Sequence, residues 1–242
     1  MLAHALKLDV APVEIRRVQN RPYLLVQRCD RLPSAETTAN ALHQRLHQED
    51  LCQALGVPPE TKYQNEGGPD LVQAFDLLRQ ATRPSAPNVL KLLDFVLFNA
   101  FIGNHDAHGK NFSPLYTPKG TVLAPLYDAL CTAVYPQLTE KMTMKIGSKY
   151  TFSGVHARHW EQFAASAGLS PAQVKKRLRE LATRLPKLAS ETLARLQSNG
   201  NPDPVLNQIV DLINDRCATT LRRLALAAQT PEGPLPSTPS PS

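Results

Sequence analysis

Along this chain, apolar residues recur at every third or fourth position in several long stretches and alternate in a few short ones, with Pro- and Gly-containing breaks between them. Leu2 and Leu6 stand at helical spacing in MLAHALKL, with no N-cap residue ahead of them, so the opening reads as a helix entered part-way along. PVEIRRV and YLLVQRC predict two short strands joined by a turn at QNRP. Polar LPSAETTAN predicts a loop, LHQRLHQEDLCQAL a helix, and KYQNEGGP a second loop that ends at Pro69. Asp70 is placed to cap a helix over LVQAFDLLRQA. After the break RPSAPN, Asn88 is placed to cap VLKLLDFVLFNAFIG, which is apolar on nearly all sides and therefore reads as the buried spine of the domain.

FSPLYTPKGTVLAPLYD predicts a hairpin turning at TPKG. Beyond it the pattern is helical, except that Met142 and Met144 alternate as packing residues on a strand. Ser170-Pro171 opens a helix with proline at its first position, and a last helix spans roughly 205 to 228. Trp160 reads as core, and the glycines of NEGGPD as close backbone packing, not a phosphate cradle, since no Lys-Ser/Thr follows them. PEGPLPSTPSPS, with five prolines in twelve residues, predicts a disordered tail. The expected architecture is mainly α with two small β-hairpins.

Composition narrows the class. A chain of 242 residues with 42% hydrophobic and 20% charged residues is ordinary for a globular protein. No run is expected to reach the roughly 18 apolar residues of a membrane-spanning helix, and the opening lacks the pattern of a signal peptide. The four cysteines, Cys29, Cys52, Cys131 and Cys217, have no paired metal spacing and read as reduced thiols, which predicts a cytoplasmic protein. Of the net charge of +6, most comes from Pro171 to Ala228, where ten Lys/Arg face five Asp/Glu. That is the composition of a solvated helix face, and no nucleic-acid-binding signature accompanies it.

The chemistry concentrates in FIGNHDAHGKNF, residues 101–112, and in YDAL shortly after. Asp106 and Asn111 form D-x-x-x-x-N, the catalytic-loop spacing of protein kinases, in which the aspartate orients and deprotonates the attacking hydroxyl and the asparagine oxygen binds magnesium. Lys110 lies between them, suited to neutralising a moving phosphoryl group, and His108 shares the loop, where it reads as a backbone-bonding residue or a proton shuttle. Magnesium needs a further hard carboxylate, and Asp128 stands at the exit of the hairpin that follows. Loop, hairpin and second aspartate come in kinase order.

These residues resemble a family. GNHDAHGKNFS, LAPLYDAL and YPQLTEKMTMKIG, preceded by VQRCDR, RLHQEDLCQALG and KYQNEGGP in the same order, are similar to the HipA-type toxin kinases of bacterial toxin–antitoxin systems. The likeness covers about residues 1 to 165. It implies a variant of the serine/threonine kinase fold using ATP and Mg2+, with Asp106 catalytic, His108 and Lys110 beside it, and Asn111 and Asp128 as magnesium ligands. It also implies an adenine-contacting hinge at Gln27, Arg28 and Cys29, where the family usually carries Glu-Arg-Phe. The partners implied are a HipB-like DNA-binding antitoxin and an aminoacyl-tRNA synthetase as substrate.

One departure lies at the front. The 25 residues before Val26 contain no glycine and a single lysine, Lys7, so neither a phosphate-covering loop nor an ATP-anchoring strand lysine is found there. The expected organisation is therefore a remnant of the small lobe and hinge over 1–31, a helical kinase-like C-terminal lobe over 32–228 and the tail over 229–242. Weak activity alone is expected, with a separate small-lobe chain as one remedy. Two other readings stay open: a non-catalytic partner-binding remnant, and a metal-dependent phosphohydrolase built on His105-Asp106 and on His43 and His47 at helical spacing.

Overall fold

The computed structural model describes residues 1–32 and 44–229. The chain opens with the short helix α1 (Leu2–Ala5), then the hairpin β1 (Val13–Val18) and β2 (Arg21–Val26). Its two-residue turn is Gln19-Asn20, both at positive φ (47° and 64°), the geometry that lets antiparallel strands keep their twist across so tight a link. β3 (Arg31–Leu32) pairs with β4 (Gln44–Arg45), and β5 (His47–Gln48) follows at once.

Here the structure corrects the sequence reading. Residues 44–48 are extended, not helical, because β4 pairs with β3 and His47 pairs with Tyr116 of the later hairpin, with Leu46 turned inward between them. The helix starts only at α2 (Leu51–Ala54), where Asp50 accepts from the Gln53 N–H and the Gln53 side chain accepts from the Asp50 N–H. Asp70 and Gln73 repeat this reciprocal cap at the head of α3 (Leu71–Ala81), as expected.

The spine, α4 (Ser85–Ile102), begins three residues before Asn88. Asn88 caps nothing. Its amide donates to Pro84 O at 3.1 Å and its oxygen accepts the Leu123 N–H at 2.8 Å, fastening the helix to the following hairpin. α4 has a mean hydropathy of 1.3 over 18 residues, long and apolar enough by composition to cross a bilayer, contrary to the sequence expectation. It is the core helix instead, with Leu93, Leu97 and Phe101 fully enclosed.

β6 (Pro114–Thr117) and β7 (Gly120–Leu123) form the predicted hairpin, and β5 joins its edge to give three strands in the order β5-β6-β7. A further hairpin, β8 (Lys141–Ile146) with β9 (Lys149–Thr151), bears out the strand read at Met142 and Met144 and adds a partner strand where helix was expected, burying Met142, Met144 and Ile146 on one face. The hairpins thus number more than the two foreseen. α5 (Ala157–Ser166) carries buried Trp160, and α6 (Pro171–Ser198) and α7 (Pro204–Gln229) pack along each other and against α4. Ser170 caps α6 through the Gln173 N–H. Of the tail expected over 229–242, Gln229 is the last residue of α7 and the rest falls outside the described residues.

Candidate active site

The spine helix ends at Gly103, whose φ of +76° reverses the chain. A side chain there would be strained and would meet Ala133 Cβ at 2.8 Å, so glycine is required twice over. Asn104 then ties the loop together. Its Oδ1 accepts the Asp106 N–H at 3.2 Å, and its Nδ2 donates to Asn99 Oδ1 at 3.0 Å and to the Asp128 carbonyl at 3.1 Å. Thus one buried amide holds the backbones of both candidate aspartates.

Asn111 makes the second tie. Its Nδ2 donates to Asp128 Oδ2 at 2.6 Å, while its Oδ1 accepts the His108 N–H at 3.0 Å. With a donor at one end and a carboxylate at the other, the amide has only one satisfactory orientation. Asp128 itself sits at φ +54°, a left-handed conformation in which a short polar side chain can be held when the surroundings fix it.

His108 is buried beneath this pair, edge-on to Tyr63 at 5.6 Å, and its ring Nδ1 has no hydrogen-bond partner among the described residues. Burial pushes its basicity down and Lys62 adds to that, against opposing pulls from Asp106 and Asp128. Both carboxylates therefore act on the same ring from nearby. Tyr127 braces the loop from outside, its hydroxyl bonded to the Lys110 carbonyl at 2.9 Å and to Ser113 Oγ at 2.7 Å, and burial pushes it up to about 12.

Two openings flank the loop. Asp106 lines a cavity of about 530 Å3 with Tyr63, Glu66, His105, Lys141 and Tyr150. Asp128 lines another of about 380 Å3, mostly apolar, walled by Leu24 and Val26 of β2, by Phe98 and by Leu126. Asn111 and Asp128 are therefore in contact and Asp106 is coupled to them through Asn104, while the two aspartates line different openings.

Lys110 is exposed and lines neither cavity. Gln27, Arg28 and Cys29 stand beside the second cavity without lining it. The Gln27 N–H is spent on Pro12 O at 2.9 Å, Arg28 grips Asp30 through two bonds of 2.8 and 2.7 Å, and Cys29 Sγ faces Gln48 Oε1 at 3.5 Å, its thiol pushed up by burial. Sequence reasoning missed Asn104, Tyr63, Lys62 and the whole wall built by β8. Asn104 had a signal, a buried-type amide directly after a helix-ending glycine; the others come from distant segments.

The donors fit magnesium. Asp128 offers a carboxylate, and the Asn111 oxygen keeps a second lone pair after accepting from His108, both hard oxygens. Among the described residues no group of three His, Cys, Asp or Glu side chains could hold a metal alone, so an ion here would depend on further oxygens such as nucleotide phosphates. The phosphohydrolase reading loses its histidine pair. His47 lies on a strand, exposed and beside Glu49 and Tyr116, and His43 lies outside the described residues.

A helical lobe that ends its core helix in D-x-x-x-x-N and returns a second aspartate by a hairpin is a kinase-like C-terminal lobe of HipA type. The chain belongs to the HipA-like C-terminal domain family, whose model matches residues 1–189. It is 49% identical over 195 residues to Y4mE of Sinorhizobium fredii, which carries a provisional kinase designation; the match covers 81% of this chain and 44% of that protein. It is 29% identical over 208 residues to the serine/threonine-protein kinase toxin HipA of Shewanella oneidensis, covering 81% of this chain and 47% of that one. In the structure of the Shewanella oneidensis HipA, HipB and operator DNA complex, a chain superposes with a TM-score of 0.84 at 26% identity, over 95% of this chain and 56% of that one. The chain thus spans about half the length of the curated relatives it matches.

Proposed function

We propose that this chain is the catalytic lobe of a HipA-type protein kinase, transferring phosphoryl from Mg2+-ATP to a protein serine. The reading rests on one observation above others: Asn111 hydrogen-bonds Asp128 at 2.6 Å while Asn104 joins the backbones of Asp106 and Asp128. Asn111 and Asp128 would hold the magnesium, whose positive charge would offset the negative charge that develops on the nucleotide phosphates. Asp106 takes the proton of the acceptor hydroxyl, a contribution of about 10²–10⁴-fold for a well-placed base. The apolar cavity beside β2 receives the base, with Gln27, Arg28 and Cys29 at its rim, and the opening at Asp106 receives the acceptor. Lys110 screens the phosphates from the solvent side, and His108 keeps Asn111 in register.

Neither β1 nor β2 carries a lysine, and Lys7 follows α1 in a turn at φ +62°. The rest of the phosphate clamp must therefore come from outside these residues, from a further segment or a separate small-lobe chain. An aminoacyl-tRNA synthetase is the substrate and a HipB-like antitoxin the partner that this reading carries. Calorimetry with ATP and Mg2+ tests it. The chain alone should bind more weakly than micromolar, and Asp128→Ala should abolish what binding there is. Binding that survives Asp128→Ala and Asn111→Ala together would overturn the assignment, phosphoryl transfer undiminished by Asp106→Asn would remove Asp106 from the catalytic role, and no transfer by either protein would favour the non-catalytic reading.

A further inference from the structure

Arg216 of α7 is half-buried, and among the described residues no carboxylate hydrogen-bonds it. Its Nη1 donates to the carbonyl of Ala100 at the end of α4, its guanidinium lies over the Phe152 ring at 4.4 Å, and its Nη2 meets His105 Nε2 at 2.9 Å. Desolvation lowers it to about 10, with Asp215 and Cys131 opposing only through space. A guanidinium stripped of much of its water without a counter-charge at hydrogen-bond distance is costly, and such placements persist where the geometry they enforce matters.

The geometry enforced is that of His105. A guanidinium can only donate, so His105 Nε2 must present its lone pair. The proton is then on Nδ1, where it donates to the Thr139 carbonyl at 3.1 Å. Two partners on opposite sides of the ring demand the same neutral tautomer. Backbone bonds complete the hold: the His105 N–H donates to Thr132 Oγ1 at 2.9 Å, and its carbonyl accepts the Thr143 N–H at 3.0 Å. His105 lines the cavity that Asp106 lines, and it is the residue next to Asp106.

We propose that Arg216 is a positioning residue for the catalytic loop: through His105, it fixes Asp106 against the segment 132–143 that walls the acceptor cavity. The assignment rests on the kinase reading for its purpose, though not for its geometry. It also gives α7, which lies beyond the residues matched by the family model, a direct role at the site. An imidazolium at 105 would turn an N–H toward Arg216, so the same pair keeps positive charge off the residue beside Asp106.

The test is nitrogen NMR of the histidine rings in the full chain, with His105→Asn to assign the signal. Wild type should show His105 neutral with its proton on Nδ1, and a wild-type ring protonated on Nε2 would overturn the proposal outright. Arg216→Met should release the tautomer and cut phosphoryl transfer by about 10–100-fold, the scale of a small misplacement of a reacting group, with ATP affinity within about twofold. Arg216→Lys, which keeps one donor for Nε2, should restore the Nδ1–H form; if it folds and Arg216→Met does not, it carries the test with the wild type. Retention of the tautomer in Arg216→Met overturns the proposal and leaves the kinase reading standing. Mg2+-ATP binding that survives Asp128→Ala and Asn111→Ala together would defeat that reading and leave the His105 geometry intact.

Discussion

The loop at 103–111 and the hairpin β1–β2 are both short, both lie at the candidate site, and they are held in opposite ways. In the loop, Asn104, His105, His108, Gly109 and Asn111 are buried, and side-chain amides connect its backbone to the hairpin exit and to the spine helix. In the hairpin, every residue of β2 is exposed, including adjacent Tyr23, Leu24, Leu25 and Val26. What restrains it is peripheral: Arg17 reaches Gly200 O at 2.9 Å and Asn201 Oδ1 at 3.1 Å. A lone two-stranded hairpin is marginal in water. The geometry of the candidate site is therefore a property of the helical platform, whereas the hairpin beside the apolar cavity has few supports of its own.

The largest test of this contrast falls on the platform. Phe101 is fully enclosed one helical turn from the active-site loop and packs edge-on against Phe152 at 6.3 Å. Phe101→Ala should cost about 3–5 kcal/mol, the range for an aromatic deleted from a core. The denaturant midpoint of the variant measures it. A loss under about 1 kcal/mol would mean that the site loop is not carried by the spine at all.

How much of this was legible in the sequence depends on how local the cause is. Asp70, Ser170 and the turn at TPKG each announce an element through residues within one turn of it, and each stands as read. Residues 44–48 fail because a single inward leucine cannot distinguish a helix from a strand; pairing of His47 with Tyr116 decides it, across nearly seventy residues. Asn88 fails for a similar reason, since its partner is Leu123. In the site, D-x-x-x-x-N and the distant aspartate could be read because their spacing is itself the constraint. Tyr63 and Arg216 could not, since their importance lies in atoms brought from other segments, and Asn104 showed only a faint signal in its place after the helix-ending glycine.

A smaller effect tests the junction between the two regions. Asp30 is only 3% exposed at the foot of the hairpin, gripped by Arg28 and bonded also to Arg31, with Arg45 at 3.8 Å. The Arg28 bonds above all hold its carboxyl down to about 2, outweighing the effect of burial. Because the folded value lies below the unfolded one, the stabilisation is complete above about pH 4 and is lost as pH falls toward 2. At neutral pH it should amount to about 1–2 kcal/mol, reduced by the exposure of the arginines. Melting temperatures from pH 7 to pH 2 for wild type and Asp30→Asn should converge at the acid end. Parallel curves would show that Asp30 contributes by shape and not by charge.

The smallest effect belongs to the hairpin, and its smallness is the point. Leu24 is 57% exposed, on a strand that contributes nothing to the main core. Leu24→Ser should change stability by no more than about 0.5 kcal/mol, as for surface substitutions generally. Yet Leu24 also lines the apolar cavity that ends at Asp128, so removing its apolar surface should weaken nucleotide binding while the melting temperature stays put. Unfolding and ATP titrations on the same sample separate these outcomes. A variant that loses stability instead of affinity would place the hairpin among the supports of the fold, and the difference between platform and roof would disappear.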